Sequence, residues 1–236
     1  MKSIVSLFQF TTILPLGKPI DLAEFGKRSW IYPLAGYLIG GLVALVVFFI
    51  ADRMIAAAVA AALLLLITGA HHFDGLLDFG DGLMAHGDRE KRIRALTDRY
   101  VGAGGLAIGI AVVLLLFAGL TSTSELVYTL IISEVCAKFA MSFLTSYGTP
   151  FRDGIHSYLH QFSKPYFPFF SLILCLPLIF LPIAPVRLAA AGIAMVVCPV
   201  ALLAIAKKAF GGVNGDVVGA ANEITRVCIV LAIALV

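Results

Sequence analysis

Charge is scarce in this 236-residue chain: Asp, Glu, Lys and Arg together make up 13%, hydrophobic residues 61%, and the mean hydropathy is +1.01. That deficit excludes a soluble domain of this size, whose surface needs far more polar side chains. No segment alternates apolar and polar residues over strand length, so a membrane β-barrel is excluded and helices are left to satisfy backbone groups in lipid. Paired cysteine spacing is missing as well. Cys136, Cys175, Cys198 and Cys228 each lie in apolar runs, where packing accounts for them better than disulfides or zinc. The opening MKSIVSLFQFTTILPLGKP has a short apolar run broken by Gln9 and no small-residue cleavage site, so residues 1–29 read as an interfacial segment and not as a cleaved leader. No linker, second domain or repeat stands out, and 1–236 reads as one integral membrane domain.

What the sequence does have is long apolar runs. Seven windows suit a hydrocarbon core of about 30 Å: Trp30–Ile50, Met54–Ala70, Gly104–Leu120, Leu126–Tyr147, Tyr166–Ile183, Leu188–Ala206 and Val217–Val236. The expected fold is an all-α polytopic transmembrane bundle of about seven spanning helices. Thirteen Lys and Arg fall in the segments on the side of the N-terminus, and only Arg53 and Arg187 in those on the other. By the positive-inside rule the N-terminus faces the cytoplasm.

Residues 71–103 form the polar segment that matters most. ITGAHHFDGLLDFGDGLMAHGDREKR follows the second window, and if Ile67–Met84 is one helix continuing that span, His71, Asp74, Asp78 and Asp81 share a face. Like charges so spaced repel, and no Lys or Arg occurs between Leu63 and Asp88 to offset them. Carboxylate oxygens favour hard divalent cations, so Asp74, Asp78 and Asp81 are candidate ligands for Mg²⁺ or Mn²⁺ bridging to a phosphorylated substrate. Gly75 and Gly82 beside that face leave room for a ligand or another helix. His72 is an ordinary interfacial histidine or a participant in the chemistry. In the downstream basic helix, Arg92 and Arg94 are candidate phosphate contacts.

A second polar cluster, FGGVNGDVVGAANEIT, places Asp216 and Glu223 seven residues apart on one face of the last window. Glu223 lies within the membrane, where an ionisable group is a functional candidate, with an ion pair to Arg226 as the structural alternative. Glu134 and Lys138, at i,i+4, read as a mutually neutralising pair. YGTPFRDGIHSYLHQFSKP adds Arg152, Asp153, His156 and Lys164 without an assigned role.

These segments resemble the cobalamin synthases, or adenosylcobinamide-GDP ribazoletransferases, nearly end to end: FQFTTILPL, YPLAGYLIGG, HFDGLLDFGDGL, RIRALTDRYVGAGG and GGVNGDVVGAANEIT. The resemblance implies a Mg²⁺-dependent phosphoryl-group transferase of a bacterial or archaeal cytoplasmic membrane, with its active site on the cytoplasmic face. Such an enzyme joins adenosylcobinamide-GDP to α-ribazole or its 5′-phosphate and releases GMP. It implies catalytic roles for Asp74, Asp78, Asp81 and His72 and adds Asp98 to the substrate contacts. Membrane lipid is the expected environment and nucleic acid is not an expected partner; a homo-oligomer or an assembly with other nucleotide-loop enzymes fits the same reading. The chain departs from the family pattern at Lys138, where an Arg is expected, and at Arg226, a place that is often acidic.

Two alternatives share some of these features. DFGDGLMAH resembles the start of the CDP-alcohol phosphotransferase signature, but His86 replaces its Arg and no aspartates follow Gly102 at the required spacing. A transporter would use intramembrane Glu134 and Glu223 as an ion path, yet the densest carboxylates lie at one membrane face.

Overall fold

The computed structural model describes all 236 residues and contains twelve α-helices: α1 (Lys2–Thr11), α2 (Leu22–Gly26), α3 (Tyr32–Val47), α4 (Arg53–Ile67), α5 (His71–Met84), α6 (Arg89–Leu96), α7 (Ala103–Ser122), α8 (Leu126–Tyr147), α9 (Ile155–His160), α10 (Phe167–Cys175), α11 (Pro185–Phe210) and α12 (Gly215–Ala234). The only β-type pairing is an isolated bridge between Pro150 and Val213. Five helices are long and apolar enough to cross a membrane: Ser29–Val47 (a 3-10 turn leading into α3), α7, α8, α11 and α12. The other two expected windows take different forms. Tyr166–Ile183 holds α10 and a 3-10 turn, Leu176–Phe180; Pro177, which lacks an N–H donor, stands where α10 gives way to that turn, whereas α11 runs on through Pro199.

The second window ends early, and the expectation of one helix from Ile67 to Met84 is corrected. α4 and α5 meet at 91°. Gly69, at φ 62°, closes α4: its N–H donates to Leu66 C=O at 3.0 Å and the N–H of Ala70 donates to Leu65 C=O at 2.9 Å, the paired bonds of a glycine-terminated helix end. Thr68 Oγ1 donates to Leu64 C=O at 3.0 Å. Ala70 is the one non-glycine residue with positive φ, at 58°, a conformation that costs an L-residue about 1–2 kcal/mol. The reversal sends α5 across the end of the bundle, outside the five spans.

α8 and α12 form the inside of the bundle, 78% and 72% buried, whereas α7 and α11 are 28% and 22% buried and turn apolar faces outward. Close backbone approach sets the packing. Gly36 and Gly40, one turn apart on α3, lie against the backbone at Val135 and Ile131 of α8, where added Cβ atoms would come within 2.5 and 2.9 Å of backbone atoms. Small residues at this spacing let membrane helices meet closely.

Candidate active site

α5 keeps the face expected from its spacing. His71 and Asp74 are exposed and Asp78 and Asp81 half-buried, while Leu76 and Phe79 on the other side enter the core. Two neighbours fix the helix in place. A Cβ on Gly75 would lie 2.8 Å from the Asp216 carbonyl of α12, and one on Gly80 would lie 3.0 Å from Gly105 Cα of α7. Gly82 faces Leu96 and Phe210 in the same manner, so Gly75 and Gly82 are occupied by packing against protein. The Gly75 contact brings Asp216, in the first turn of α12, beside the α5 carboxylates; Asn214 Nδ2 donates to its Oδ2 at 2.6 Å.

Asp81 is the most firmly held of the four. Its carboxylate accepts from Gly102 N–H at 2.7 Å and Gly105 N–H at 2.8 Å, capping α7 from another helix by satisfying donors that a helix start leaves free. No Lys or Arg forms an ion pair with Asp74, Asp78, Asp81 or Asp216. Partial burial, together with the carboxylates of Asp216, Asp74 and Asp81, pushes the Asp78 carboxyl up to about 7. No three His, Cys, Asp or Glu side chains converge as a ready ligand set. The donor chemistry nevertheless fits a hard divalent cation: the carboxylates share one end of the bundle without an ion pair, and burial pushes both Asp78 and Asp216 up, although Asn214 and the charge of Arg152 work against the rise at Asp216.

Behind Asp74 and Asp216 lies a cavity of about 490 Å³, enclosed by α1, α3, α5, α8, α9 and α12. His72 is on its wall, 7% exposed, with Nδ1 unbonded. Burial, and then the charges of Lys138 and Arg226 beneath it, hold this imidazole well below its usual basicity. Phe10, Tyr32 and Thr145, none of them a candidate from the sequence, share the cavity wall with His156, to which the sequence assigns no role. Its members come from six helices, and no local spacing announces them.

The remaining candidates lie apart. Arg92 Nη1 donates to the Leu83 carbonyl at 2.7 Å, closing the end of α5. Arg94 is exposed without a bonded partner, and exposed Asp98 accepts from Tyr100 N–H at 3.2 Å. Glu223 is sealed in the bundle: it pairs with Arg226, which also pairs with Glu134. Lys138 Nζ lies 3.5 Å from Glu134 and donates to Asn222 at 2.6 Å, and Asn222 donates to Glu223 at 3.0 Å. The ion pair between Glu223 and Arg226 is therefore the structural alternative considered for this residue. The departures at Lys138 and Arg226 have a shared account, since these two cations balance the two glutamates.

Residues 3–234 match the family model described as cobalamin-5-phosphate synthase. The chain belongs to this family. It is 36% identical to the adenosylcobinamide-GDP ribazoletransferase of Methanocella arvoryzae over 88% of this chain and 85% of that one. It is 35% identical to the protein of that name from Archaeoglobus fulgidus, over 95% and 94% of the two chains, and 30% identical to that of Clostridium novyi, over 99% and 96%. No solved structure matches. The family match covers α1, the carboxylates of α5 and the closing α12 together, and it does not favour the CDP-alcohol or transporter readings.

Proposed function

We propose that this chain is a Mg²⁺-dependent adenosylcobinamide-GDP ribazoletransferase that works at the cytoplasmic face of a bacterial or archaeal membrane. The observation that carries the reading is the coincidence of an end-to-end family match with four aspartates, none of them ion-paired, at one end of the bundle. Thirteen Lys and Arg on that side against two on the other support an inward-facing N-terminus.

In the reaction, a hydroxyl of α-ribazole or its 5′-phosphate attacks the phosphorus nearer the cobinamide; a new P–O bond forms and the diphosphate bond to GMP breaks. Asp74 and Asp78, with Asp216 opposite, would hold the cation, which when bound neutralises the diphosphate and the departing GMP. Asp81, bonded to two backbone N–H groups, fixes the register of α5 against α7. The carboxylates suit acceptance of the hydroxyl proton near neutral pH better than His72 does, because His72 is held far below its usual basicity. His72 instead closes the cavity wall as an uncharged group.

The test uses the full chain in nanodiscs with Mg²⁺, adenosylcobinamide-GDP and α-ribazole or its 5′-phosphate, following GMP and corrinoid product by chromatography. The parent should release GMP only when both substrates are present, and Asp78→Asn should lower the rate by about 10²–10³-fold, as removal of a group stabilising transition-state charge does. A folded parent that is silent with both acceptors would overturn the reading.

A further inference from the structure

His156 does two things with its two nitrogens. It belongs to α9, a six-residue helix whose histidines, four residues apart, reach the end of α8: His160 Nδ1 bonds the Thr145 carbonyl at 2.8 Å and His156 Nε2 the Gly148 carbonyl at 2.8 Å. A carbonyl only accepts, so in neutral His156 the proton sits on Nε2 and Nδ1 is left as a bare acceptor. Nothing bonds Nδ1, although the residue is only 3% exposed. Burial pushes the imidazole down to about 4, which keeps it uncharged at physiological pH. A buried polar atom left without a partner calls for an explanation, and capping α8 explains only the other nitrogen.

The position of His156 supplies one. It lines the 490 Å³ cavity and also an adjoining one of about 200 Å³, both of which include Gly215 and Asp216. Asp74 and Asp216 border the larger cavity, whereas Asp78 and Asp81 do not. The carboxylates therefore separate an outer acidic face, suited to a metal-bound diphosphate, from an inner chamber. That chamber lies within the about 300–1,000 Å³ typical of small-molecule sites; it has room for a nucleoside and not for a corrin ring with its side chains. A phosphate oxygen offers Nδ1 no proton, and a hard cation prefers oxygen, so the missing partner is an O–H or N–H donor.

We propose that the inner cavity holds the nucleoside acceptor and that His156 binds it, Nδ1 accepting a hydrogen bond from a sugar hydroxyl. This rests on the transferase reading above. The test labels the full chain with ¹⁵N-histidine in nanodiscs and adds α-ribazole without the corrinoid substrate. The expected result is an unprotonated His156 Nδ1 whose resonance moves with α-ribazole and not with GDP. His156→Gln keeps an amide N–H for Gly148 but no acceptor at the Nδ1 position, and should raise KM for α-ribazole about tenfold, the effect of one lost hydrogen bond of about 1.4 kcal/mol, with the melting temperature kept. His156→Asn keeps an acceptor near Nδ1 but loses the Gly148 bond, so it should melt lower with KM nearer the parent's. The reverse pattern, a resonance unmoved by α-ribazole, or one moved by GDP alone would overturn the proposal. A resonance that moves with α-ribazole in a parent that releases no GMP would uphold this site and overturn the reaction instead.

Discussion

Inside the bundle, Glu134 and Glu223 are met by Lys138, Arg226 and Asn222, whereas at its end Asp74, Asp78, Asp81 and Asp216 gather with no Lys or Arg paired to any of them. Both groups are built from α-helical side chains at i,i+3 and i,i+4 spacing, and both join elements distant in sequence. They differ in how charge is answered. The inner group balances two acids with two bases, and its members are almost wholly buried. The outer group leaves its carboxylates crowded, exposed or half-exposed and without an ion pair, though two N–H groups hold Asp81, and Asn214 and the charge of Arg152 act on Asp216. Charge that is balanced and sealed serves the fold, and charge left unbalanced at an opening awaits a ligand.

The largest effect should come from breaking the balanced group. Arg226→Met leaves two buried glutamates facing one lysine, and removal of one partner from a buried ion pair costs about 3–5 kcal/mol. Unfolding in detergent, followed by circular dichroism, should show the loss directly. A variant that melts with the parent would mean that the network does not hold α8 to α12 and that its charges are free for another purpose.

Asp81 sharpens the contrast because it stands between the two kinds. Asp81→Ala removes the acceptor for Gly102 and Gly105 and should cost about 1–3 kcal/mol, the range of a lost helix cap or an orphaned buried donor. Asp81→Asn keeps one acceptor oxygen and should cost less, with GMP release per folded molecule falling well short of the loss in Asp78→Asn. If Asp81→Asn is as inactive as Asp78→Asn, Asp81 acts on the substrate as well as on α7.

The sequence made the shared face of His71, Asp74, Asp78 and Asp81 legible because helical periodicity is local. It also contained the sign of the bend, Gly69, but the left-handed turn extends to Ala70, where no residue preference points to it. Asp81 reaching Gly102 and Gly105, and Glu134 reaching Arg226 across 92 positions, depend on which helices become neighbours. The expectation for Glu223 was ambiguous for the same reason: its intrahelical partner Arg226 was visible, but the second glutamate that shares this cation was not. His156 was visible only as one polar residue in a polar loop, since the end of α8 gives it meaning. Seven apolar windows stand out in the sequence because composition registers apolar length and not the breaks at Gly69 and Pro177.

The smallest predicted effect is a pH dependence that belongs to the outer group alone. Asp78 has a folded pKa of about 7 against 3.8 when unperturbed, so between these values the folded chain binds a proton that the unfolded chain has released. Stability from this group is therefore complete below about pH 4 and is lost as pH rises through about 7. Without divalent cation, the melting temperature should fall from pH 5 to pH 8; Mg²⁺ should restore it at pH 8 and do little at pH 5, where a proton competes for the carboxylate. Asp78→Asn should flatten the slope and weaken its response to Mg²⁺. The balanced network has no such opening to a cation, so a slope that persists in Asp78→Asn would place its origin elsewhere and would remove the crowding of Asp78 as the mark that distinguishes the two groups.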